Sequence, residues 1–477
     1  MCIRDRNMGV RTDSPLAAEA RRGVLEFLLT SHPLDCPICD QAGECKLQEY
    51  SNDYGQIEGR YEEKKTKKGK NLSIGPRVNL DQERCVLCGR CVRFMRDIMH
   101  DEVLTMSQRG TYNAITVYPG RELDSNYSLN TVDLCPVGAL TSKDFRFKMR
   151  VWFLKETKTI DVDCGTGTNI TLWTREDRVY RITPRPNDAV NSCWMPDSHR
   201  LNYKYINSPQ RIPQPVIRTD AGAPHRPATW EPALASAAEA FKRISPDKIA
   251  IIASGRMTNE ELYMVRHLAA QIGTDKMDIV PRTGESDGML ISADRNPNTN
   301  GAKLVLGIEP GSRLDAIREG VRNGSVKAVL ALGEDLTAPE AGFTPEDLKK
   351  LDYLFMIAHS ANETGRHADL VLPGVTYAEK FGTMINVAGR IQRLNRAIRP
   401  VGYSRDDWQI LRDITVALGG NPALKDFSSA LDILTVMSTE YEELNGLTWG
   451  SIGDGGRPIL ETGVTIPVVE RERNQSR

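Results

Sequence analysis

The chain has 477 residues, too many for one hydrophobic core, and its composition is that of an ordinary globular protein built from several domains. With 62 Lys and Arg against 63 Asp and Glu, a formal charge of -1 and a pI of about 6.7, no global field favours nucleic acid or an anionic membrane surface as partner. Mean hydropathy is -0.40 and no apolar run approaches the length of a bilayer span, so membrane association is expected only through partner proteins.

From the amino end, residues 12–30 read as a helix. Ser14 can cap it, Pro15 suits its first turn, and Val24, Leu25, Leu28 and Leu29 form an apolar stripe. It delivers the chain to His32. After a cysteine-bearing loop, Lys46 to Tyr50 reads as a short helix, and the run from Glu62 to Lys70 reads as a solvated loop. Val92 to Met99 is helical in pattern, and Ile115 to Tyr118 reads as a strand closed by Pro119-Gly120. Three short β-rich segments follow at Thr159–Val162, Asn169–Trp173 and Val179–Ile182, with turns carrying Gly165, Gly167 and Asp177.

Beyond the Pro-rich stretch 208–215 the texture alternates. Helices are predicted at Trp230–Ile244, Glu260–Ile272 and Asp406–Leu418. Strands are predicted at Ile249–Ala253, Lys303–Leu306, Val326–Leu332, Leu354–Ile357 and Leu370–Leu372, which together point to a parallel sheet covered on both faces. The domains expected are 1–150 (cluster-bearing), 151–215 (small and β-rich) and 216–477 (α/β).

Seven of the ten cysteines fall between Cys36 and Cys135. The chain start, Met1 to Met8, has no apolar export core, so a reducing compartment is expected, where thiols ligate metals in preference to pairing as disulfides. With His32 they make two four-donor sets: His32-x3-Cys36-x2-Cys39-x5-Cys45, and Cys85-x2-Cys88-x2-Cys91 closed, after 43 intervening residues, by Cys135-Pro136. Two residues between cysteines let thiolates of one turn reach neighbouring irons of a cubane, while the remote fourth donor locks the loop to the fold. Zinc is the alternative for both sets. Three thiolates within seven residues suit a cubane better than a tetrahedron, whereas a Cys3His set is also a common zinc composition. Imidazole in place of one thiolate lowers the negative charge of the first site and raises its potential relative to the second.

Three segments carry a close resemblance to a known family: His32 to Gln48, Arg84 to Phe94, and Asp133-Leu-Cys135-Pro-Val-Gly-Ala-Leu-Thr-Ser142. They resemble the NuoG family of NADH-quinone oxidoreductases, which in mitochondria is the 75 kDa subunit of respiratory complex I. The resemblance implies that His32, Cys36, Cys39 and Cys45 hold one [4Fe–4S] cluster and that Cys85, Cys88, Cys91 and Cys135 hold a second. No independent catalytic site is implied. The chain is expected to relay electrons from the NADH- and FMN-bearing flavoprotein subunit toward the iron–sulfur subunits of the quinone arm. That is work in the peripheral arm of a proton-translocating oxidoreductase, on the cytoplasmic side of a bacterial inner membrane, with no nucleic acid involved. A diaphorase arm of an NAD-linked hydrogenase and a formate dehydrogenase-type molybdoenzyme subunit are the alternatives.

Two departures stand out. Family members begin with a ferredoxin-like [2Fe–2S] domain whose cysteines this chain lacks, Cys2 alone being insufficient; that cluster is expected only if such a domain precedes the sequence. Second, Asp161-Val-Asp-Cys164-Gly-Thr-Gly-Thr168 resembles a Cys-x2-Cys-x3-Cys cluster loop in which Asp161 and Thr168 replace cysteines, with Pro196 at the fourth position. A third cubane is therefore not expected, and Cys164 and Cys193 are read as buried thiols. The carboxyl-terminal half, through Glu363 to Pro373, Glu379 to Thr383 and Asn386 to Arg390, resembles the molybdopterin oxidoreductase fold. No cysteine lies beyond Cys193, which excludes thiolate-ligated molybdenum, and no molybdenum is expected; His367 beside Asp369 is read as structural. The fold class expected is thus an α+β iron–sulfur domain followed by an α/β molybdopterin-oxidoreductase-like scaffold.

Overall fold

The computed structural model describes residues 9–218 and 223–475, and Cys2 lies outside them. The chain divides into two compact units, 1–155 and 156–477.

In the first unit the opening helix runs Pro15–Leu29, capped by the Ser14 hydroxyl, which accepts from the Ala17 amide at 3.2 Å. Only Leu25 of its predicted stripe is buried; Val24 and Leu28 face outward. The next helix, Lys46–Tyr54, starts directly after Cys45. A small antiparallel sheet orders Leu72–Ser73, Val78–Leu80 and Leu140–Ser142, with Leu80 opposite Leu140. That register matters for the site. It brings the chain leaving Leu80 for Cys85 beside the chain arriving from Cys135, and the Asp81 amide donates to the Ala139 carbonyl at 2.7 Å. The predicted helix after the second cysteine loop forms as Arg90–Arg93 and continues into a wider π-type turn, Phe94–Ile98.

The run 62–70 departs from its expectation of a merely solvated loop. Lys65 Nζ donates to the Leu29 and His32 carbonyls, both at 2.7 Å, Lys68 Nζ donates to the Asn113 carbonyl at 2.7 Å, and Lys70 lies against three carboxylates. Unpaired carbonyls at a helix end draw lysines onto the surface they would otherwise leave.

The second unit opens with the three-stranded sheet Lys155–Ile160, Asn169–Arg175 and Arg178–Pro184. Ile160, Ile170, Leu172 and Ile182 from this module share one core with Tyr377, Met384, Leu394 and Ile398, so 151–215 and the α/β region are joined by packing. The large sheet has seven strands in the order Arg226–Pro227, Val216–Ile217, Leu370–Pro373, Tyr353–Ala358, Ala328–Leu332, Ile249–Ala253, Met277–Ile279. Its last five are parallel. Alternate residues divide between the faces: Ile249, Ile251, Leu330 and Phe355 enter one core, Ala250, Ile252, Val329 and Met356 the other.

One predicted strand is a helix. Lys303–Leu306 belongs to Thr299–Leu306, which ends on Gly307 in the left-handed region at φ 67°. The apolar run is too short to distinguish the two periods, but Gly301, Ala302 and Val305 are its buried positions, the spacing of a helix face. The outer sheet position goes instead to Met277–Ile279, hidden in a three-residue segment containing Asp278.

Candidate iron–sulfur centres

The second donor set lines a recess in which Cys91 is buried, Cys85 and Cys135 are half-buried and Cys88 is exposed. Cys85, Cys88, Cys91 and Cys135 line one recess with Leu80, Ile115, Val137 and Leu140, which surround the sulfurs with apolar side chains. Backbone shape creates it. Leu87 has φ 56° and Gly89 φ 71°, so two left-handed residues curl the Cys85–Cys91 loop, and the Leu87 amide points at Cys85 Sγ at 3.4 Å. For a branched leucine that conformation is strained, and strain of this kind concentrates where a loop is shaped for a ligand. Cys135 caps the Asn130–Leu134 helix, and its thiol donates to the Val137 carbonyl at 3.0 Å. Burial first, then the neighbouring thiols, push Cys91 up to about 12; burial pushes Cys135 up to about 11. Ionising Cys91 and Cys135 together requires a nearby positive centre, which an iron–sulfur core provides.

The first set gathers around the turn Cys36–Ile38. Cys39 and Cys45 are buried, each raised by burial, and Cys39 feels the Cys45 thiol while Cys45 feels that of Cys36. His32 has a buried Nδ1 with no hydrogen-bond partner. Burial, and after it the Arg84 charge, hold its imidazole below the ordinary value, which favours the neutral ring that coordinates metals. An orphaned buried ring nitrogen four residues before Cys36 fits a histidine-ligated cluster, since buried polar atoms are seldom left unpaired without a partner still to come.

Segment Cys135–Ala139 serves both sets. The Pro136 carbonyl accepts from the Lys46 amide at 3.2 Å and lies 3.7 Å from Cys45 Sγ. A Cβ on Gly138 would stand 2.3 Å from Cys39 Sγ, so only glycine lets this backbone pass the first set. One short segment thus joins a donor of one site to the packing of the other.

An ion network built on buried Arg84, Asp81 and Glu83 and reaching the half-buried Asp35 and the exposed Lys70 ties the same loops. Arg84 clamps Asp35 with Nη2 to Oδ2 at 2.8 Å and Nε to Oδ1 at 3.3 Å, and also reaches Asp81 at 3.3 Å. Lys70 meets Glu83 at 2.9 Å and Asp35 at 3.5 Å. Burial opposes ionisation of Asp35, yet Arg84 and Lys70 keep its carboxyl below the ordinary range. Asp35 precedes Cys36 and Arg84 precedes Cys85, so the pair fastens one cysteine loop to the other. Their ligand-adjacent positions were visible in the sequence; the pairing across 49 residues was not.

In the second unit, Cys164 is fully buried as expected, whereas Cys193 is only partly so. Cys164 does not stand alone: it groups with Asp161 and His199, a histidine that sequence reasoning passed over. Gly167 sits at φ 64° against Gln392, which makes the 165–167 turn a packing feature. His367 pairs with Glu363 at 3.5 Å, and the Asp369 carboxylate accepts from the Leu354 amide at 2.7 Å.

Among the described residues no helix is long and apolar enough to cross a membrane. The family described as NADH-ubiquinone oxidoreductase-G iron-sulfur binding region matches residues 21–60, and the NADH-quinone oxidoreductase subunit 3 ferredoxin-like domain matches 75–141. The NDSU1/NuoG-like 4Fe-4S domain matches 154–204 and molybdopterin oxidoreductase 293–416. The NADH-ubiquinone oxidoreductase 78 kDa subunit of Candida albicans is 31% identical over 88% of this chain and 75% of its own length. An NADH-quinone oxidoreductase subunit of Rickettsia felis is 28% identical over 86% of this chain and 77% of its own. Among solved structures, acetylene hydratase from Pelobacter acetylenicus aligns with a TM-score of 0.46 at 10% identity, covering 64% of this chain and 74% of that one. Matching iron–sulfur and molybdopterin-type regions in this order, together with relatives similar along most of both chains, make this protein a member of the NuoG (78 kDa subunit) family of NADH-quinone oxidoreductase.

Proposed function

We propose that the chain is an electron-relay subunit of complex I, standing between the flavoprotein that oxidises NADH and the iron–sulfur subunits of the quinone arm. In this reading His32, Cys36, Cys39 and Cys45 hold one [4Fe–4S] cluster, and Cys85, Cys88, Cys91 and Cys135 hold the other. Such clusters supply one-electron uptake and release. A [2Fe–2S] cluster would belong to a preceding domain, if the full protein has one.

The protein's own part is placement and tuning. The observation that carries the reading is the Cys135–Ala139 segment, with a donor of one set at its start and the Cys39 thiol packed on its Gly138. Leu80, Ile115, Val137 and Leu140 pack around the second set and leave Cys88 at the surface. Buried Arg84 faces both His32 and Cys39, and a fixed cation there favours the reduced state of the first set. Neutral His32 acts in the same direction, so the first site should have the higher potential. Phe27, Leu34, Ile38 and Trp152 expose large apolar surfaces in the first unit, which suits a chain covered by neighbouring subunits on the cytoplasmic side of the membrane.

Anaerobic iron and sulfide counting with EPR on the dithionite-reduced protein tests this. The expected result is about eight irons per chain and two distinguishable cubane signals. A colourless chain containing zinc and no iron would reject the relay.

A further inference from the structure

The region matched by the 4Fe-4S family at 154–204 has a donor set that does not suit a cubane. Of the positions where the cluster loop would carry thiolates, Asp161, Cys164, Thr168 and Pro196, one alone is a cysteine. Yet the place has not become apolar. Asp161, Cys164 and His199 are 3%, 0% and 7% exposed, and one ligand atom from each lies within 4.8 Å of the other two. His199 Nδ1 is 2.7 Å from Asp161 Oδ2. Three chemically different donors, brought from 38 residues apart into one buried group, form an arrangement that hydrophobic packing alone does not explain.

We propose that Asp161, Cys164 and His199 bind a single zinc-class divalent cation at the position of the lost cubane. One carboxylate oxygen, one thiolate and one imidazole nitrogen are borderline donors of the kind zinc selects, and three protein donors leave a fourth position for water or a neighbouring group. Asp163, two residues on and held by the Asn202 amide group at 2.8 Å, is the adjacent polar side chain. Charge agrees. A thiolate, a carboxylate and a neutral imidazole carry two negative charges, which one divalent ion cancels inside a buried site. A cubane with its one thiolate would lack three ligands.

The loop is already held in shape. The Asp161 amide donates to the Thr168 carbonyl at 2.8 Å, the Gly165 amide to the Asp294 carbonyl at 2.9 Å, and the Val387 amide to the Gly165 carbonyl at 2.8 Å. The Thr166 hydroxyl donates to the Leu290 carbonyl at 2.6 Å, and Asn386 Nδ2 donates to the Thr166 carbonyl at 3.0 Å. A loop anchored at Gly165 and Thr166 presents its donors without refolding, which favours metal binding over a mobile set. The role is structural, fastening the short helix Asp197–Arg200, which carries His199, to the loop that replaced the cluster.

The test is metal analysis of the iron-loaded full chain, purified without chelators, alongside Cys164→Ser, His199→Gln and, as a control in the other unit, Cys36→Ser. About one zinc per wild-type chain is expected. It should be absent from Cys164→Ser and His199→Gln while their iron content stays at the wild-type level, and present in Cys36→Ser. Exchange of the wild type with cobalt(II) gives a second readout independent of variant folding: tetrahedral cobalt absorption with a thiolate-to-metal charge-transfer band. Wild-type protein without zinc that takes up neither zinc nor cobalt would overturn the proposal, leaving a hydrogen-bonded Asp161–His199 pair. Zinc retained in Cys164→Ser and His199→Gln would overturn it equally.

Discussion

Residues 156–477 surround a seven-stranded sheet whose alternate side chains fill two apolar cores, whereas in residues 1–155 the cluster between the two donor sets joins five buried residues to four partly buried ones, and three of these nine are cysteines. Those nine are Leu25, Cys45, Leu47, Val137 and Ala139, with Leu29, Cys85, Val86 and Cys135 packed against them. The second unit is stabilised by burial, which needs no cofactor; the first has buried apolar side chains of its own, among them Val78, Leu80, Met95, Val103, Ile115 and Leu123, but around the two donor sets it puts candidate ligands where another protein would put leucines. Metal removal and core truncation should therefore strike different halves of the chain.

The largest effect follows from that directly. Stripping iron under reducing conditions should abolish hydrogen-exchange protection around 32–45, 85–98 and 130–142 while the sheet strands of the second unit keep theirs. Uniform loss of protection would erase the distinction between the units. Next comes Gly138→Ala, whose new Cβ meets Cys39 Sγ at 2.3 Å and Gln41 Cβ at 3.1 Å, so that the thiol proposed as a ligand must move. We expect iron content to fall by about four atoms per chain, with the histidine-ligated EPR signal lost first. The complementary change is Phe355→Ala. Phe355 is fully buried with Phe241 edge-on at 5.8 Å, and its truncation should cost about 3–5 kcal/mol in the second unit with iron content unchanged.

The smallest effect is a pH dependence confined to the second unit. Burial pushes Glu260 up to about 7, although the Thr383 amide and hydroxyl both donate to it at 2.8 Å. A raised carboxyl binds its proton more tightly folded than unfolded, so its stabilising contribution is complete below pH ~4.5 and is lost as pH rises through about 7. Glu260→Gln should flatten that fall by at most ~3 kcal/mol, read as the difference in denaturant midpoints at pH 5 and pH 8. An unchanged pH profile would show that Glu260 stays ionised.

Much of this was legible in the sequence, and what was not has physical reasons. Periodicity located the opening helix, the helix at Asn259–Ile272 and the buried strands, because each carries a long pattern or a full apolar run. It failed at Lys303–Leu306, where four apolar-rich residues cannot separate a 3.6 period from extension, and at Met277–Ile279, where a polar Asp278 interrupts a buried strand. The spacing of Cys85, Cys88 and Cys91 marked out a candidate chelating loop. What no local pattern reveals is the Leu87 backbone at φ 56°, the passage of Gly138 beside Cys39, or the reach of Arg84 to Asp35, because each depends on segments far apart in the chain. His199 escaped notice for the same reason, lying 38 residues from its partner Asp161.

Everything proposed for the first unit requires two iron centres flanking the Cys135–Ala139 segment, and anomalous diffraction from crystals of the anaerobic protein at the iron absorption edge addresses this most directly. Two separate iron peaks are predicted, one in bonding contact with His32 Nδ1, Cys36, Cys39 and Cys45, the other with Cys85, Cys88, Cys91 and Cys135. A single peak, or an iron centre from which His32 or Cys135 is turned away, would contradict the relay.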